Sequence, residues 1–298
     1  SVMSKIEFSL DSLPDTLGMA VDAVAKKFKQ VGIDGARLDA RLIVTHGLGV
    51  EPQKVLTHPE LSIAPEDCQK IIEMAHRRIQ REPMSHILGE REFWSMDFKV
   101  TADTLTPRPD TETLVDVVLS KVAKLPTDSK LGILDLGTGT GCILLTLLSE
   151  IPNANGIGVD ISEAALSVAH ANASSLGLLG RAAFSQGHWG DGLEACFDIV
   201  VSNPPYIPAQ DIHTLSAEVS KYEPRSALDG GEDGLDAYCD IAADLKRLLK
   251  PGGFACFEVG IGQAEDVSKI LSDSGFTKNE IHSDLSGIER VVLVNATI

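Results

Sequence analysis

Leu131-Gly132-Ile133-Leu134-Asp135-Leu136-Gly137-Thr138-Gly139-Thr140-Gly141-Cys142-Ile143-Leu144-Leu145 reads as a short apolar strand, a glycine turn and the start of an apolar helix. In that layout backbone N–H groups and a helix N-terminus approach a ligand closely. The spacing is Gly-x-Gly-x-Gly, and Cys142 stands where a dinucleotide fingerprint requires its third glycine, which argues against NAD. Working outward, a second strand, Gly156-Ile157-Gly158-Val159, ends in Asp160. It lies about twenty residues after the turn, where a carboxylate can accept both ribose hydroxyls of an adenosine. The alternative role for Asp160 is to cap the helix that starts near Ser162.

Further along, the apolar run Phe197-Asp198-Ile199-Val200-Val201 leads directly into Asn203-Pro204-Pro205-Tyr206. A buried strand thus delivers an amide, two imino acids and an aromatic ring to the carboxyl edge of a sheet, where open α/β folds bind ligands. The prolines stiffen the backbone and remove two N–H donors. The Asn203 side-chain oxygen and the Pro204 carbonyl then make two acceptors at one point, suited to a planar NH2 group, with Tyr206 as a wall for stacking. The plainer reading of these four residues is a Pro-Pro turn ending a strand.

Strand patterns recur near residues 131–136, 155–160, 181–186, 197–202, 252–259, 279–283 and 289–295, alternating with helical ones from Thr111 onward. Upstream, Leu17, Val21, Val24, Phe28 and Val31 recur at helical spacing. A second helix runs from about Asp34 to the Gly47-Leu48-Gly49 stop, and a third begins near Pro65, a favoured first helical position. Their apolar stripes read as the core of a small bundle. Between Arg81 and Pro107, short β-like pieces around Phe93-Trp94 and Phe98-Lys99-Val100 predict a hairpin. There is no internal repeat.

Glycine turn, acid at the end of the next strand and Asn-Pro-Pro-Tyr after the fourth together resemble the class I S-adenosylmethionine-dependent methyltransferases that act on planar amino or amide nitrogens. Thr106-Pro107-Arg108-Pro109-Asp110-Thr111-Glu112, Arg91-Glu92-Phe93-Trp94 and Tyr222-Glu223-Pro224-Arg225-Ser226-Ala227-Leu228-Asp229-Gly230-Gly231 resemble the PrmC/HemK family more closely. The resemblance runs from about Leu38 to the C-terminus and is strongest from Arg91 to Gly262; before it, only the helical pattern matches. It implies an α/β fold with a seven-stranded Rossmann-like class I methyltransferase sheet whose last strand is antiparallel, a small N-terminal helical bundle and a linking β-hairpin. The expected domains are a helical one over 1–81, a linker over 82–107 and a catalytic domain over 108–298; the helical one holds no candidate chemistry and is expected to dock the substrate.

The implied activity is methyl transfer from S-adenosyl-L-methionine to the glutamine side-chain nitrogen of the Gly-Gly-Gln motif in class 1 peptide chain release factors, in translation termination. Cofactor binding then falls to Gly137, Thr138, Gly139, Thr140, Gly141, Asp160, Asn203 and, against the adenine, Trp189. The amide falls to Asn203, Pro204, Pro205 and Tyr206, with Asn203, Pro204 and Tyr206 catalytic. An aromatic–base stack is worth roughly 1–3 kcal/mol; Trp189 could otherwise fill space under the next loop. Arg108, between two prolines, is open to two roles, pairing with an acid such as Glu112 or facing the site. Arg77, Arg78 and Arg81 read as a solvated basic patch at a helix end.

Composition is compatible. At 298 residues one core is near its usual limit, so two domains are expected. A 43% apolar and 23% charged chain is that of a soluble globular protein. No apolar run reaches membrane-spanning length and no signal-peptide pattern opens the chain; Ser1 in place of Met suggests a processed start. Cys68, Cys142, Cys196, Cys239 and Cys256 are widely spaced and read mostly as core residues in a reducing compartment, hence a cytoplasmic bacterial or organellar protein; no metal is implied.

Residues 1–90 hold 11 basic and 13 acidic side chains, a net of −2, against 15 and 30, a net of −15, in residues 91–298. An acidic catalytic region suits a basic protein partner and fits a nucleic-acid or membrane partner poorly. A monomer acting on a release factor is the expectation. The rivals are a DNA or RNA adenine- or guanine-amine methyltransferase, a ribosomal protein glutamine methyltransferase, and a cofactor-binding scaffold without catalysis.

Overall fold

The computed structural model describes residues 10–297, so Ser1 and the rest of the extreme N-terminus lie outside it. The chain divides into two compact units: residues up to Gly89 together with Ala217–Tyr222, and Glu90–Ser216 together with Glu223 onward. The segment expected to link two domains therefore divides at Gly89.

The first unit is helical: α1 Leu17–Gln30, α2 Ala36–Leu48, α3 Lys54–Thr57, α4 Pro65–Ile79 and α5 Met84–Leu88. Leu17, Val21, Val24 and Phe28 of α1 are fully buried against Ile43 of α2 and Ile71 of α4. Pro65 opens α4 with Glu66 and Asp67 in its first turn, favourable to the helix dipole.

The solvated basic patch expected at the end of α4 is corrected in part. Arg78 is buried; its guanidinium donates to Asp39 Oδ2 at 3.0 Å and to the Glu82 carbonyl at 3.2 Å, and lies 3.7 Å from Glu218. Arg77 pairs with Glu82, and Arg81 donates to the Val31 carbonyl at 2.6 Å. Tyr222 donates to the Gln80 carbonyl at 2.6 Å, so with Glu218 it fastens the 217–222 segment to this unit. Arg78 and Arg81 tie segments together, while Arg77 stays on the surface in a pair with Glu82.

The second unit opens with the hairpin β1 Glu90–Phe93 and β2 Met96–Lys99, turned by Trp94 and Ser95 at φ 53° and 59°. Phe93 and Phe98 pack edge to face and enter the core. After α6 Glu112–Val122 come β3 Leu131–Leu136, α7 Cys142–Glu150, β4 Ala154–Asp160, α8 Glu163–Ser175, β5 Ala182–Gln186 and β6 Phe197–Ser202. The short α9 Ala217–Ser220 belongs to the first unit; α10 Asp236–Leu248, β7 Leu249–Glu258, α11 Ala264–Asp273, β8 Asn279–Ser283 and β9 Glu289–Asn295 complete the second.

The sheet has seven strands in the order β5-β4-β3-β6-β7-β9-β8, parallel except for β9, which runs antiparallel to both neighbours. Both faces are covered, so the central strands are apolar throughout rather than alternating. Ile133, Ile199, Val201 and Cys256 face the layer of α6 and α7; Leu134, Leu136, Val200 and Phe257 face that of α10 and α11. The cysteine reading is corrected in part: Cys142 and Cys256 are buried, but Cys196 and Cys239 are exposed and Cys68 is half-buried. Among the described residues, no helix is long and apolar enough to cross a membrane.

Candidate active site

Strand order reverses between β3 and β6, so the crevice opens at their carboxyl ends. Leu136 pairs with Val159 on one side and Ser202 on the other. The residues next in sequence, Gly137, Asp160 and Asn203, therefore leave the sheet side by side. Ser202 donates to the Leu136 carbonyl at 2.6 Å and locks the β3–β6 edge there.

The glycine turn is held from both sides. Gly137 and Thr138 N–H groups donate to the Val159 carbonyl at 2.8 and 2.9 Å, and Gly139 N–H donates to Asp160 Oδ2 at 2.9 Å. Gly137 has φ +75°, and a side chain there would also meet the Trp189 indole at 3.3 Å, so glycine is required. Asn172, buried on α8, donates to the Thr140 carbonyl at 2.9 Å and accepts from Lys99 N–H at 2.7 Å, which ties the turn to β2. The Asp160 Oδ1 accepts Ser162 N–H, while Ser162 itself caps α8. Asp160 is thus not the helix cap.

These elements enclose a cavity of about 280 Å³. Its wall includes Gly137, Thr138, Gly139, Thr140, Asp160, Trp189, Asn203 and Pro205. Gly141 is not on the wall; it turns the chain into α7 at φ +81°. Pro204 and Tyr206 are not on it either. Pro204 is buried, and Tyr206 packs into the apolar cluster around Tyr238 and Phe257. Burial, then the nearby Glu258 carboxylate, push the Tyr206 hydroxyl up to about 12, so it stays neutral.

Asn203 carries the decisive polar group: its Oδ1 is buried and accepts no hydrogen bond. Buried polar atoms in native proteins are nearly always paired, which makes this amide oxygen the wall residue's candidate acceptor for a ligand donor. Arg108 lies on the wall, 3.8 Å from Glu223, and not on Glu112, which instead accepts Trp94 N–H at 2.8 Å. Glu223 also accepts Thr106 N–H at 3.1 Å, so one buried carboxylate shapes that rim.

Two buried acids were missed in the sequence reading of the site. Asp135 receives the Thr138 hydroxyl at 2.8 Å, yet burial raises it to about 7. Glu258, at the end of β7, is raised to about 7 by burial as well, and its Oε1 has no partner. Neither acid is on the cavity wall, which Ile161, Ser226 and Ala227 do join. Of these, only Ser226 and Ala227 fell in a stretch the sequence singled out.

The PrmC N-terminal domain family matches residues 20–89, earlier than the motif resemblance began, and the methyltransferase domain family matches residues 127–284. A release factor glutamine methyltransferase of Rhodospirillum rubrum is 47% identical over 277 residues, covering 93% of this chain and 84% of the relative. The chain belongs to the release factor glutamine methyltransferase family. The enzyme of that name from Caulobacter vibrioides is 44% identical over 279 residues, covering 93% and 96%. A solved methyltransferase from Pyrococcus furiosus shares the fold at a TM-score of 0.50 and 14% identity, over 69% of this chain and 91% of that one.

The protein is a methyltransferase with S-adenosylmethionine as methyl donor. The residues present fit that group: a glycine cradle at a helix N-terminus, a carboxylate at the second strand's end, an indole face and an unpaired amide oxygen share one cavity.

Proposed function

We propose that the protein methylates the side-chain amide nitrogen of the glutamine in the Gly-Gly-Gln motif of class 1 peptide chain release factors. The reading is supported by the 47% identity to a relative named as a release factor glutamine methyltransferase, with the unpaired Oδ1 of Asn203, a residue of the cavity wall, as the candidate amide acceptor. When bound, S-adenosylmethionine supplies an electrophilic methyl on its sulfonium. Asp160 would accept the ribose hydroxyls, the glycine turn would let the backbone approach closely, and Trp189 would cover the adenine.

A glutamine amide nitrogen is a weak nucleophile because its lone pair is delocalised. Asn203 Oδ1 accepts an amide hydrogen, which holds the nitrogen in line and stabilises the positive charge as it develops, while Pro204, buried behind the wall, stiffens the strand end that carries Asn203. Tyr206 supports the loop that presents this acceptor. No strong base is required before transfer, since the methylated amide loses its proton readily.

The helical unit serves as the docking domain for the body of the factor. A small glycine-rich target loop offers little surface, so discrimination must come from contacts elsewhere. The excess negative charge of residues 91–298 suits a partner with basic surface.

The test is Asn203→Ala with labelled cofactor and, in parallel, a release factor, a ribosomal protein or DNA. The wild type is expected to label the release factor. The variant is expected to turn over about a hundredfold more slowly, by analogy with loss of one preorganised polar group. Label appearing in DNA or the ribosomal protein instead, or normal turnover in the variant, would overturn the reading.

A further inference from the structure

Pro204 and Pro205 carry no N–H, so the stretch between Asn203 and Ile207 has few backbone donors with which to join a ladder. Beyond it the chain is well held: Ile207 N–H donates to the Leu228 carbonyl at 3.1 Å, and its own carbonyl accepts Gly230 N–H at 2.8 Å. Within the stretch the Tyr206 carbonyl has a side-chain partner. Gln263 Nε2 donates to it at 2.9 Å, and Gln263 Oε1 accepts Gly260 N–H at 2.9 Å.

The surroundings are fitted to this side chain. A Cβ on Gly260 would lie 2.6 Å from Gln263 Oε1 and 2.8 Å from Tyr206 Cδ2. A Cβ on Gly234, at φ +82°, would strike the Tyr206 carbonyl and lie 2.9 Å from Gln263 Nε2. Two glycines therefore leave the room that one glutamine and one tyrosine fill. Gln263 precedes α11, whose Val267 and Leu271 are buried, so the amide is mounted on a packed element.

From this geometry we infer that Gln263 is a positioning residue for methyl transfer: it fixes the Tyr206 carbonyl and ring, and through two rigid prolines the orientation of Asn203. It is not on the cavity wall, so it acts through the loop and not on the reactants. The inference rests on the role proposed above for Asn203. A reacting group misplaced by about 1 Å can lose roughly a hundredfold in rate.

The test uses Gln263→Met, which keeps the volume and removes both hydrogen bonds, and Gln263→Glu, which keeps only the acceptor for Gly260. A fluorotyrosine placed at position 206 reports the loop by fluorine NMR, independently of activity. Both variants are expected to split or broaden that resonance and to lower kcat ten- to a hundredfold, with cofactor affinity within twofold of wild type. An unchanged resonance would overturn the inference, as would a perturbed resonance with normal kcat per folded enzyme. Asn203→Ala assayed alongside separates the two ideas: if it is fully active the acceptor reading fails, whatever the fluorine signal of the Gln263 variants shows.

Discussion

The Asp160 carboxylate accepts the Gly139 N–H at 2.9 Å, so the acid that ends β4 also holds the glycine turn that follows β3. Its second oxygen accepts the Ser162 N–H at 3.0 Å. One side chain thus shapes the cradle and, with its remaining lone pairs, is available to a ribose.

Asp160→Ala is expected to weaken cofactor binding roughly ten- to a hundredfold, the loss of charge-assisted hydrogen bonds worth about 1.5–3 kcal/mol. Because two backbone N–H groups lose their acceptor, stability should fall as well, by about 1–2 kcal/mol. Titration calorimetry and urea unfolding measure the two. Unchanged cofactor affinity would remove Asp160 from the binding set.

Glu258 makes stability depend on pH. Its carboxyl sits at about 7 in the fold against an ordinary 4.5, so the folded state favours the neutral form. That contribution is complete below the ordinary value and is lost as pH rises through about 7. The loss is about 3 kcal/mol. Asp135 acts in the same direction. Glu258→Gln should therefore unfold with a flatter dependence than wild type between roughly pH 4.5 and 8. Equal slopes in the two proteins would show that Glu258 is not buried as described.

Arg78 and Arg77 are neighbours with opposite expectations. Arg78→Ala leaves Asp39 short of a buried partner, and burial already raises that carboxyl. A loss of about 2–4 kcal/mol is expected. Arg77 is half-exposed, and Arg77→Ala should cost under about 1 kcal/mol. Similar denaturation midpoints for both variants would contradict the burial of Arg78.

Met19, Leu38 and Leu56 are large apolar side chains exposed on the helical unit. If that unit docks the factor, Met19→Asp or Leu56→Asp should raise KM for the intact factor several-fold while cofactor affinity stays unchanged. A KM unmoved by both substitutions would remove this surface from docking.

The strands of the second unit were legible because each is a short apolar run bounded by glycine, proline or acid, and the two-sided cover of a parallel sheet makes such runs continuous. The glycine turn, Asp160 and Asn203 were legible for the same reason, since each directly follows a strand and must emerge at its carboxyl edge. Sequence alone therefore determined the sheet and three corners of the cavity. The tertiary structure decided what spacing cannot carry: that Tyr206 turns away into the core, that Gln263, 57 residues later, holds its carbonyl, and that Glu223 rather than Glu112 faces Arg108. It also decided the fate of the three arginines, whose pattern on α4 is that of a solvated face. The partners of Arg78 and Arg81, namely Asp39, Glu218 and Val31, lie far along the chain, whereas Arg77 pairs with the nearby Glu82. Burial and hydrogen-bond pairing depend on which segments meet, and only folding brings those segments together.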